Sequence, residues 1–291
     1  MDPAGTCVFR RKRSAALTGA RYDSSYFRIK AAGERTSAEA IVPVVMSLLE
    51  PRSVCDVGCS QGTWLAVFKE HGVDRVLGID GDYIEREKLE IDEHEFVATD
   101  LERGVPEVGR FDLAVSLEVA EHLLTEAAQP LVDGLVALAP AVLFSAAIPG
   151  QGGRGHVNEQ WPDYWSDLFA RHGYFPIDCI RARVWLDRSV NAWYRQNTLL
   201  FADRPLIESN DRLREAHAGS SDRPLSIVHP LILQAALERP WKRFHELLAE
   251  VHTGAIAHED LEAQMAALLE RFATRARERS ARSLEHGQDD G

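Results

Sequence analysis

The most specific chemical signal in the sequence is a small-residue turn, Asp56-Val57-Gly58-Cys59-Ser60-Gln61-Gly62. Its two glycines, four positions apart, let the backbone turn sharply and approach a ligand closely. Asp56 stands two positions before the first glycine, at the end of a predicted strand. A dinucleotide-binding turn reads G-x-G-x-x-G and rests a pyrophosphate on bare amides, which a carboxylate would repel. The turn therefore favours a ligand that carries an ammonium group and no phosphate.

Two further acids follow the next two predicted strands. Asp80 comes 18 positions after Gly62, where an acidic side chain can bind both hydroxyls of a ribose. Asp100 and Leu101 follow the third strand, and a polar side chain beside an apolar one suits the edge and face of an adenine. An amino-acid end, a ribose, an adenine and no phosphate together describe S-adenosylmethionine. The residues predict a site for it outside the carboxyl ends of the strands, where ligands of open α/β sheets bind.

A second polar segment, 150–165, follows the fifth predicted strand. Four glycines in its first six residues predict a flexible loop, and the histidine after them, His156, can act as a general base near neutral pH. We predict His156 as the catalytic residue, with a structural histidine that bonds the loop backbone as the alternative. The predicted acceptor-binding residues are the polar and aromatic side chains around it: Gln151, Asn158, Trp161 and Tyr164.

Two nearby aromatic groups have structural interpretations. Trp165, Leu168 and Phe169 share one face of a predicted helix, 163–172, and are expected to lie in the core. The string from Trp193 to Asn197 is predicted to open the last strand, where it either closes the acceptor pocket or covers the sheet edge.

The elements that must hold these residues are short strands that alternate with helices. Strands are predicted at 53–57, 75–80, 95–98, 111–116 and 141–148, and this alternation indicates βαβ units and a parallel sheet. Two more strands, about 175–186 and 194–202, have no long crossover between them and predict an antiparallel hairpin at one sheet edge. A capping-box pattern from Thr36 to Glu39 predicts that a helix begins there.

Three parts of the chain are expected: an N-terminal arm at 1–35, the α/β domain at 36–203 and a helical C-terminal extension at 204–291. The extension contains an amphipathic stretch whose apolar residues are spaced for one helix face: Leu261, Met265, Leu268, Leu269 and Phe272. That face is predicted to pack on the main domain, to cover the acceptor cleft or to form a homodimer.

From Ser53 to Ala202, the ordered set of motifs resembles the class I S-adenosylmethionine-dependent methyltransferases, and in particular their small-molecule branch. The matching segments are the glycine turn, Val76–Asp80, Thr99–Leu101, Phe111–His122 and Gly173-Tyr174. The resemblance implies an α/β fold with a Rossmann-like sheet of seven strands, mostly parallel with an antiparallel final strand. Ser60 departs from the middle glycine that the family commonly has.

The resemblance also implies a set of cofactor-binding residues at the strand ends and in the turns after them. They are Asp56, Gly58, Cys59, Ser60, Gln61, Gly62, Trp64, Asp80, Gly81, Asp100, Leu101, Leu117, Glu118 and His122. Leu117 and Glu118 would line the sulfonium side, with His122 one turn along the next helix. The Asn/Asp-Pro-Pro-aromatic motif of enzymes that methylate base amino groups is missing at 117–120, which argues against flipped nucleobases as acceptors.

The expected function is therefore methyl transfer from S-adenosylmethionine, which leaves S-adenosylhomocysteine, to an oxygen or nitrogen of a small metabolite. A natural product or a sugar is the expected acceptor, and in-line displacement is the expected mechanism. No resident metal is predicted. A metal-assisted sugar O-methyltransferase using His122, His156 and Glu159 is one alternative, and a cofactor-binding interaction protein without catalysis is another. The glycine spacing disfavours an NAD-dependent oxidoreductase.

Composition sets the remaining expectations for this chain of 291 residues. Its formal net charge of −12 argues against nucleic acid as a partner, although arginines cluster at 10–13 and after residue 274. The four cysteines lack paired metal spacing, which favours a reduced, cytoplasmic protein. No apolar run reaches the length of about 18 residues that a membrane span needs, and no apolar segment follows the first basic cluster as a secretory signal requires.

Overall fold

The computed structural model describes residues 24–252 and Glu270. Within this part the strands are Ser53–Val57 (β1), Arg75–Asp80 (β2), Phe96–Ala98 (β3), Leu113–Leu117 (β4), Ala141–Ser145 (β5), Tyr174–Ile177 (β6) and Leu199–Asp203 (β7). The α-helices are Ser24–Leu49 (α1), Thr63–Glu70 (α2), Ala128–Leu138 (α3), Pro162–Ala170 (α4), Arg181–Val184 (α5), Ala192–Asn197 (α6), Arg204–Ser209 (α7), Asp211–Ala218 (α8) and Pro230–His252 (α9).

The seven strands form one sheet in the order β3-β2-β1-β4-β5-β7-β6. The strands β1 to β5 are parallel to one another, and β7 is antiparallel to both β5 and β6. This confirms the predicted seven-stranded, mostly parallel sheet with an antiparallel final strand. Because β1, β2 and β4 run in the same direction, their carboxyl ends meet at one edge of the sheet.

Helices cover both faces of the sheet and create two apolar layers. Ile41 of α1 and Phe68 of α2 belong to one buried cluster, and Leu131 of α3 and Phe169 of α4 belong to the other. Every position of β4 and β5 is buried, as expected of central strands that are covered on both sides. The prediction that Trp165, Leu168 and Phe169 lie in the core is confirmed.

The first helix does not begin where the capping-box pattern predicted. α1 is already helical at Ser24, so Thr36 and Glu39 lie inside it, and the predicted start at 36 is wrong. The hydroxyls of Thr36 and Ser37 both donate to the carbonyl of Gly33 in the preceding turn. Serine and threonine make such bonds within helices as well as at their starts, so the pattern does not by itself mark a helix end.

The predicted edge hairpin is correct in pairing and wrong in extent. β6 and β7 pair in antiparallel fashion, but both are shorter than predicted, and α5 and α6 lie between them. The buried guanidinium of Arg181 donates to both carboxylate oxygens of Asp178 and to the carbonyl of Leu225, which winds the chain into α5. The string from Trp193 to Asn197 accordingly lies in α6 and not in the last strand.

The chain divides into two compact units, Met1–Ile232 and Leu233–Gly291. Three predicted features lie wholly or mostly outside the described residues. They are the predicted arm at 1–35, of which residues 1–23 are not described, the two basic clusters, and the amphipathic stretch at 261–272. The predicted domain boundaries and the homodimer therefore stay predictions. In the part of the chain that the structure describes, no helix combines the length and the apolar character that crossing a membrane demands.

Candidate active site

The turn between β1 and α2 is built from left-handed backbone. Gly58, Ser60 and Gly62 have φ angles of 86°, 51° and 82°, and the amide of Gly58 donates to the carbonyl of Ile79 at the end of β2. A Cβ atom at Gly58 would lie 2.3 Å from Cγ2 of Val119, so only glycine fits there. Ser60, which stands where the resemblance implies a glycine, adopts the left-handed conformation itself.

A buried acidic cluster lies next to this turn. Asp56 is only 2% exposed, and its pKa is raised well above the usual range by burial, then by the charges of Glu34 and Asp80. Burial, followed by Asp56 and Asp80, likewise raises the pKa of the Cys59 thiol. Glu34 comes from α1 and is itself buried. Three acidic side chains thus share one buried edge of the sheet, and a positively charged ligand bound there would stabilise their ionised forms.

Asp80 ends β2 and accepts hydrogen bonds from three groups of the protein. The amide of Ser60 donates to Oδ2 over 2.7 Å, and the amide of Gly81 donates to Oδ1 over 2.6 Å. The hydroxyl of Tyr83 also donates to Oδ1. Asp80 thus joins the glycine turn to the end of β2, and its role in binding a ribose stays a prediction.

Two further predicted cofactor-binding residues, Trp64 and Gln61, have structural contacts of their own. Trp64 is buried and packs edge-on against Tyr194, with ring centroids 5.2 Å apart. The carbonyl of Gln61 accepts from the amide of Glu90, so Gln61 contributes its backbone to the fold.

The residues predicted for the adenine follow β3. The carboxylate of Asp100 is more than half exposed, accepts from the amide of Glu102 and pairs with Arg103. Leu101 packs against the second apolar cluster. Leu101 therefore has an apolar environment, whereas the carboxylate of Asp100 lies at the surface and is already bonded to Glu102 and Arg103.

The chain leaves β4 through a second strained residue. Leu117 is buried, and Glu118 has a φ of 56° while its amide donates to the carbonyl of Ser145 at the end of β5. The carboxylate of Glu118 accepts from the side-chain amides of Gln151 and Asn197, each over 2.9 Å. Glu118, a predicted cofactor-binding residue, and Gln151, a predicted acceptor-binding residue, are thus in contact. Asn197 of α6 joins them.

Two histidines and two glutamates that follow Glu118 in the chain form a group: Glu121, His122, His156 and Glu159. Nδ1 of His156 is 3.2 Å from Oε1 of Glu159, and Nε2 faces Oε1 of Glu121 at 4.0 Å. The ring of His122 stands perpendicular to that of His156, with centroids 4.9 Å apart. His156, the predicted base, and His122, a predicted cofactor-binding residue, are therefore neighbours.

The two glutamates of this group have opposite electrostatic environments. Glu121 is fully buried, neither carboxylate oxygen has a hydrogen-bond partner, and its pKa is raised well above the usual range by burial, then by Glu118. Burial alone would also raise the pKa of Glu159, but the hydrogen bond with His156 and the amides of Gly150 and Gly152 lower it. Glu159 is an ionised partner for His156, and Glu121 is a buried carboxyl group without one.

The remaining acceptor candidates lie at different depths. Asn158 is buried, and its side-chain oxygen accepts from Thr125 and Gln160, so it helps to fix the loop. Trp161 is 40% exposed. Tyr164 packs edge-on against the core residue Trp165. Of these three side chains, that of Trp161 is the most exposed and therefore the most accessible to an acceptor.

The sequence motifs predict no role for Glu34 or Glu121, and they predict Glu159 only as a ligand in the alternative metal-assisted enzyme. Glu34 lies in a segment interpreted as an arm, and no local pattern indicates that it reaches Asp56. A signal did exist for Glu121, because it and His122 directly follow the end of a strand that carries Glu118. Asn197 belongs to an aromatic and polar string that does not single it out.

A family model described as "Methyltransferase domain" matches residues 32–178, which is half of the chain. The chain belongs to this methyltransferase family. The matched segment contains the glycine turn, Asp80, Glu118 and His156, so it covers most of the site described above.

Solved structures with low similarity to this chain include three methyltransferases. The plantazolicin methyltransferase BpumL in complex with SAH is 16% identical over 62% of this chain and 88% of its own, with a TM-score of 0.45. A putative O-methyltransferase from Nostoc punctiforme is 14% identical over 60% of this chain and 58% of its own, with a TM-score of 0.43. The magnesium protoporphyrin IX methyltransferase ChlM from Synechocystis is 17% identical over 64% and 90%, with a TM-score of 0.42. Similarities this weak say nothing about the acceptor, and no curated protein matches the chain.

Proposed function

We propose that this protein transfers a methyl group from S-adenosylmethionine to an oxygen or nitrogen of a small metabolite. The observation that carries the proposal is the buried acidic cluster at the ends of β1 and β2. Burial, and then the charges of Glu34 and Asp80, raise the pKa of Asp56, and a ligand that brings positive charge relieves both effects. A dinucleotide would bring a negative pyrophosphate to the same place.

The chemistry of the donor set fits S-adenosylmethionine part by part. Asp56 and the amides of the glycine turn would hold its amino-acid end, Asp80 its ribose hydroxyls, and Leu101 the face of its adenine. When bound, it supplies a methyl group that a sulfonium has already activated. The protein then has to position the acceptor and to keep water away from it.

The acceptor would lie beside Glu118, on the side of the loop at 150–160. Gln151 and Asn197 hold the Glu118 carboxylate in one orientation. His156, held at Nδ1 by Glu159, would take the proton of an attacking hydroxyl or amine at Nε2. Trp161, partly exposed at the far end of this loop, would contact an apolar or planar part of the acceptor.

A natural product or a sugar fits such a polar and partly aromatic surface. The absence of the nucleobase motif at 117–120 supports a small metabolite over a base. The net charge of −12 also disfavours a polyanionic acceptor. The cytoplasmic location remains part of this proposal.

Calorimetric titration tests the cofactor half of the proposal. S-adenosylmethionine and S-adenosylhomocysteine are expected to bind, and NAD is not. Asp56→Asn should weaken binding by roughly 10- to 100-fold, because a hydrogen bond to a charged group is worth about 1.5–3 kcal/mol. Asp74→Asn is the matched control, since Asp74 lies at the surface and pairs with Arg52, and its affinity should equal that of the wild type. Absence of binding would overturn the proposal.

Incubation with a methyl-labelled donor and an extract of the source cell tests the catalytic half. Mass spectrometry should find a labelled small molecule with the wild type. His156→Ala should lower turnover at least about 100-fold, the order of a general-base contribution, and leave the cofactor affinity nearly unchanged. Unchanged turnover would make His156 structural. Cofactor binding without any labelled product would instead favour an interaction protein that holds the cofactor without catalysis.

A further inference from the structure

The buried carboxyl group of Glu121 is the least satisfied polar group near the proposed acceptor site. It is 0% exposed, and both of its oxygens lack a hydrogen-bond partner. An unpaired carboxyl group in the interior is costly, and proteins normally pair such a group or use it to coordinate a metal. The nearest candidate partner is Nε2 of His156, which at 4.0 Å is too far for a hydrogen bond.

We propose that Glu121, His122 and His156 form a binding site for a divalent metal ion. One carboxylate oxygen and one ring nitrogen from each histidine all lie within 4.8 Å of one another. Metal bonds to such atoms are about 2.0–2.2 Å long, so a small closure of the three side chains would bring them onto one ion. A metal ion would also satisfy the carboxylate oxygens of Glu121.

The surroundings of His156 suit a metal ligand. Glu159 is bonded at Nδ1, and its own carboxylate accepts from the amides of Gly150 and Gly152. Nε2 is thereby directed towards Glu121. A carboxylate on one ring nitrogen, with the other turned to the ion, is the usual arrangement behind a metal-binding histidine. Glu159 therefore acts as a positioning residue in this proposal.

The donor set indicates which ions would bind. Two imidazoles and one carboxylate suit Zn²⁺, Mn²⁺, Co²⁺ or Fe²⁺, whereas Mg²⁺ and Ca²⁺ prefer oxygen ligands. Three protein ligands leave coordination positions open, as in catalytic metal sites. The inference deepens the proposed function in one respect: an ion there would lower the pKa of an acceptor hydroxyl and would replace His156 as the group that makes it reactive.

A second cluster in the described residues provides the control. Asp92, His94 and Glu95 also lie within 4.8 Å of one another, but on the exposed side of the chain. Asp92 and Glu95 bond each other's backbone in a capping box, and both pair with Lys69. Their carboxylates are already occupied, so this cluster is not expected to hold an ion.

The test is direct metal binding to the full chain, without any methyl donor. Protein freed of metal with a chelator is titrated calorimetrically with the chlorides of Zn²⁺, Mn²⁺, Co²⁺ and Mg²⁺, and the Co²⁺ complex is followed by its visible absorption. One tight equivalent of Zn²⁺, Mn²⁺ or Co²⁺ is expected for the wild type and for His94→Ala. Glu121→Gln and His122→Ala should weaken binding at least about 100-fold, and Glu159→Gln should weaken it roughly 10- to 100-fold.

Two outcomes overturn the metal site: no binding by the wild type, or binding that is lost in His94→Ala and kept in His122→Ala. If Glu121→Gln does not fold, the exposed His122 still decides the question, because its removal does not disturb the core. Failure of the proposed methyl transfer leaves this binding result intact. Conversely, cofactor binding and turnover by a wild type that binds none of these ions would support the proposed function and overturn only the metal site, by the first of these two outcomes.

Discussion

The hydroxyl of Tyr83 donates to Oδ1 of Asp80 over 2.5 Å, although the side chain of Tyr83 is largely exposed. The amide of Ser60 donates to the other oxygen of the same carboxylate. Both oxygens that would bind a ribose are therefore already engaged by the protein. Of these two donors, only the tyrosine hydroxyl belongs to an exposed side chain that can rotate away.

Tyr83→Phe is expected to tighten binding of S-adenosylhomocysteine. Its hydroxyl competes with the ribose for Asp80, and a net hydrogen bond of about 0.5–1.5 kcal/mol corresponds to a roughly 2- to 10-fold lower Kd. Calorimetric titration measures the change. Tyr174→Phe is the control, because that hydroxyl donates to the backbone of Val136 and Ala139; it should lower the Tm and leave the Kd unchanged. Weaker binding by Tyr83→Phe would show that the hydroxyl contacts the ligand instead.

The raised pKa of Asp56 predicts a pH dependence of stability. In the folded protein the carboxyl keeps a proton that the unfolded chain releases, so the free energy of unfolding falls as pH rises from the ordinary aspartate range towards the raised pKa. One such proton contributes a slope of at most about 1.4 kcal/mol per pH unit.

Urea unfolding between about pH 4 and pH 8 measures this slope. Asp56→Asn should flatten it, and saturating S-adenosylmethionine should do so as well, because a positively charged ligand lowers the pKa of Asp56 in the folded state. By the same linkage, affinity for the ligand should rise with pH. A slope that is the same in wild type and Asp56→Asn would contradict the assignment.

Gly58→Ala and Gly72→Ala separate two contributions to the stability of turns. Both glycines have left-handed backbone, with φ angles of 86° and 93°, and alanine should cost about 1–3 kcal/mol at each for that reason. A Cβ at Gly58 also collides with Val119, whereas nothing lies within 4 Å at Gly72. Gly58→Ala should therefore lose roughly 1–3 kcal/mol more, measured by urea unfolding. The added Val119→Ala substitution should recover part of that difference, and equal losses at the two glycines would refute the collision.

Arg181→Met is expected to destabilise the fold by about 3–5 kcal/mol, because it leaves the carboxylate of Asp178 buried and unpaired. Arg52→Met provides the surface comparison: Arg52 and Asp74 are both mostly exposed, and such pairs contribute about 0–1 kcal/mol. Thermal unfolding of both variants measures the difference. Arg181→Met combined with Asp178→Asn should be more stable than Arg181→Met alone, and the same stability would contradict the ion-pair explanation.

The sheet could be predicted from sequence because its signals are local. Alternating short apolar runs and helices indicate parallel strands, and Gly58 and Gly62 mark the turn that backbone geometry requires. The extent of β6 could not be predicted in this way. It depends on the bond between Arg181 and Leu225, which are 44 positions apart, and β-type composition cannot reveal such a contact.

The same distinction applies to the site. Asp56 and Asp80 stand at strand ends, so topology alone brings them together. Glu34 acts on Asp56 from α1, a helix distant in sequence that shares a buried apolar cluster with β1. Glu159 reaches His156 through a loop whose shape depends on Gly150 and Gly152. Contacts that depend on loop shape or on distant helices, such as those of Glu34 and Glu159, have no local sequence pattern that predicts them.

Helix α6 links Glu118, beside the proposed acceptor site, to the chain that follows β7. Asn197 bonds Glu118, and the neighbouring side chain of Gln196 donates to the carbonyl of Ile227 and accepts from the amide of His229. A protein cut after β7 would leave that buried amide without either partner, one residue away from the group that orients Glu118. The segment around Ile227 thus supports the helix that orients Glu118, although it makes no hydrogen bond with Glu118 itself.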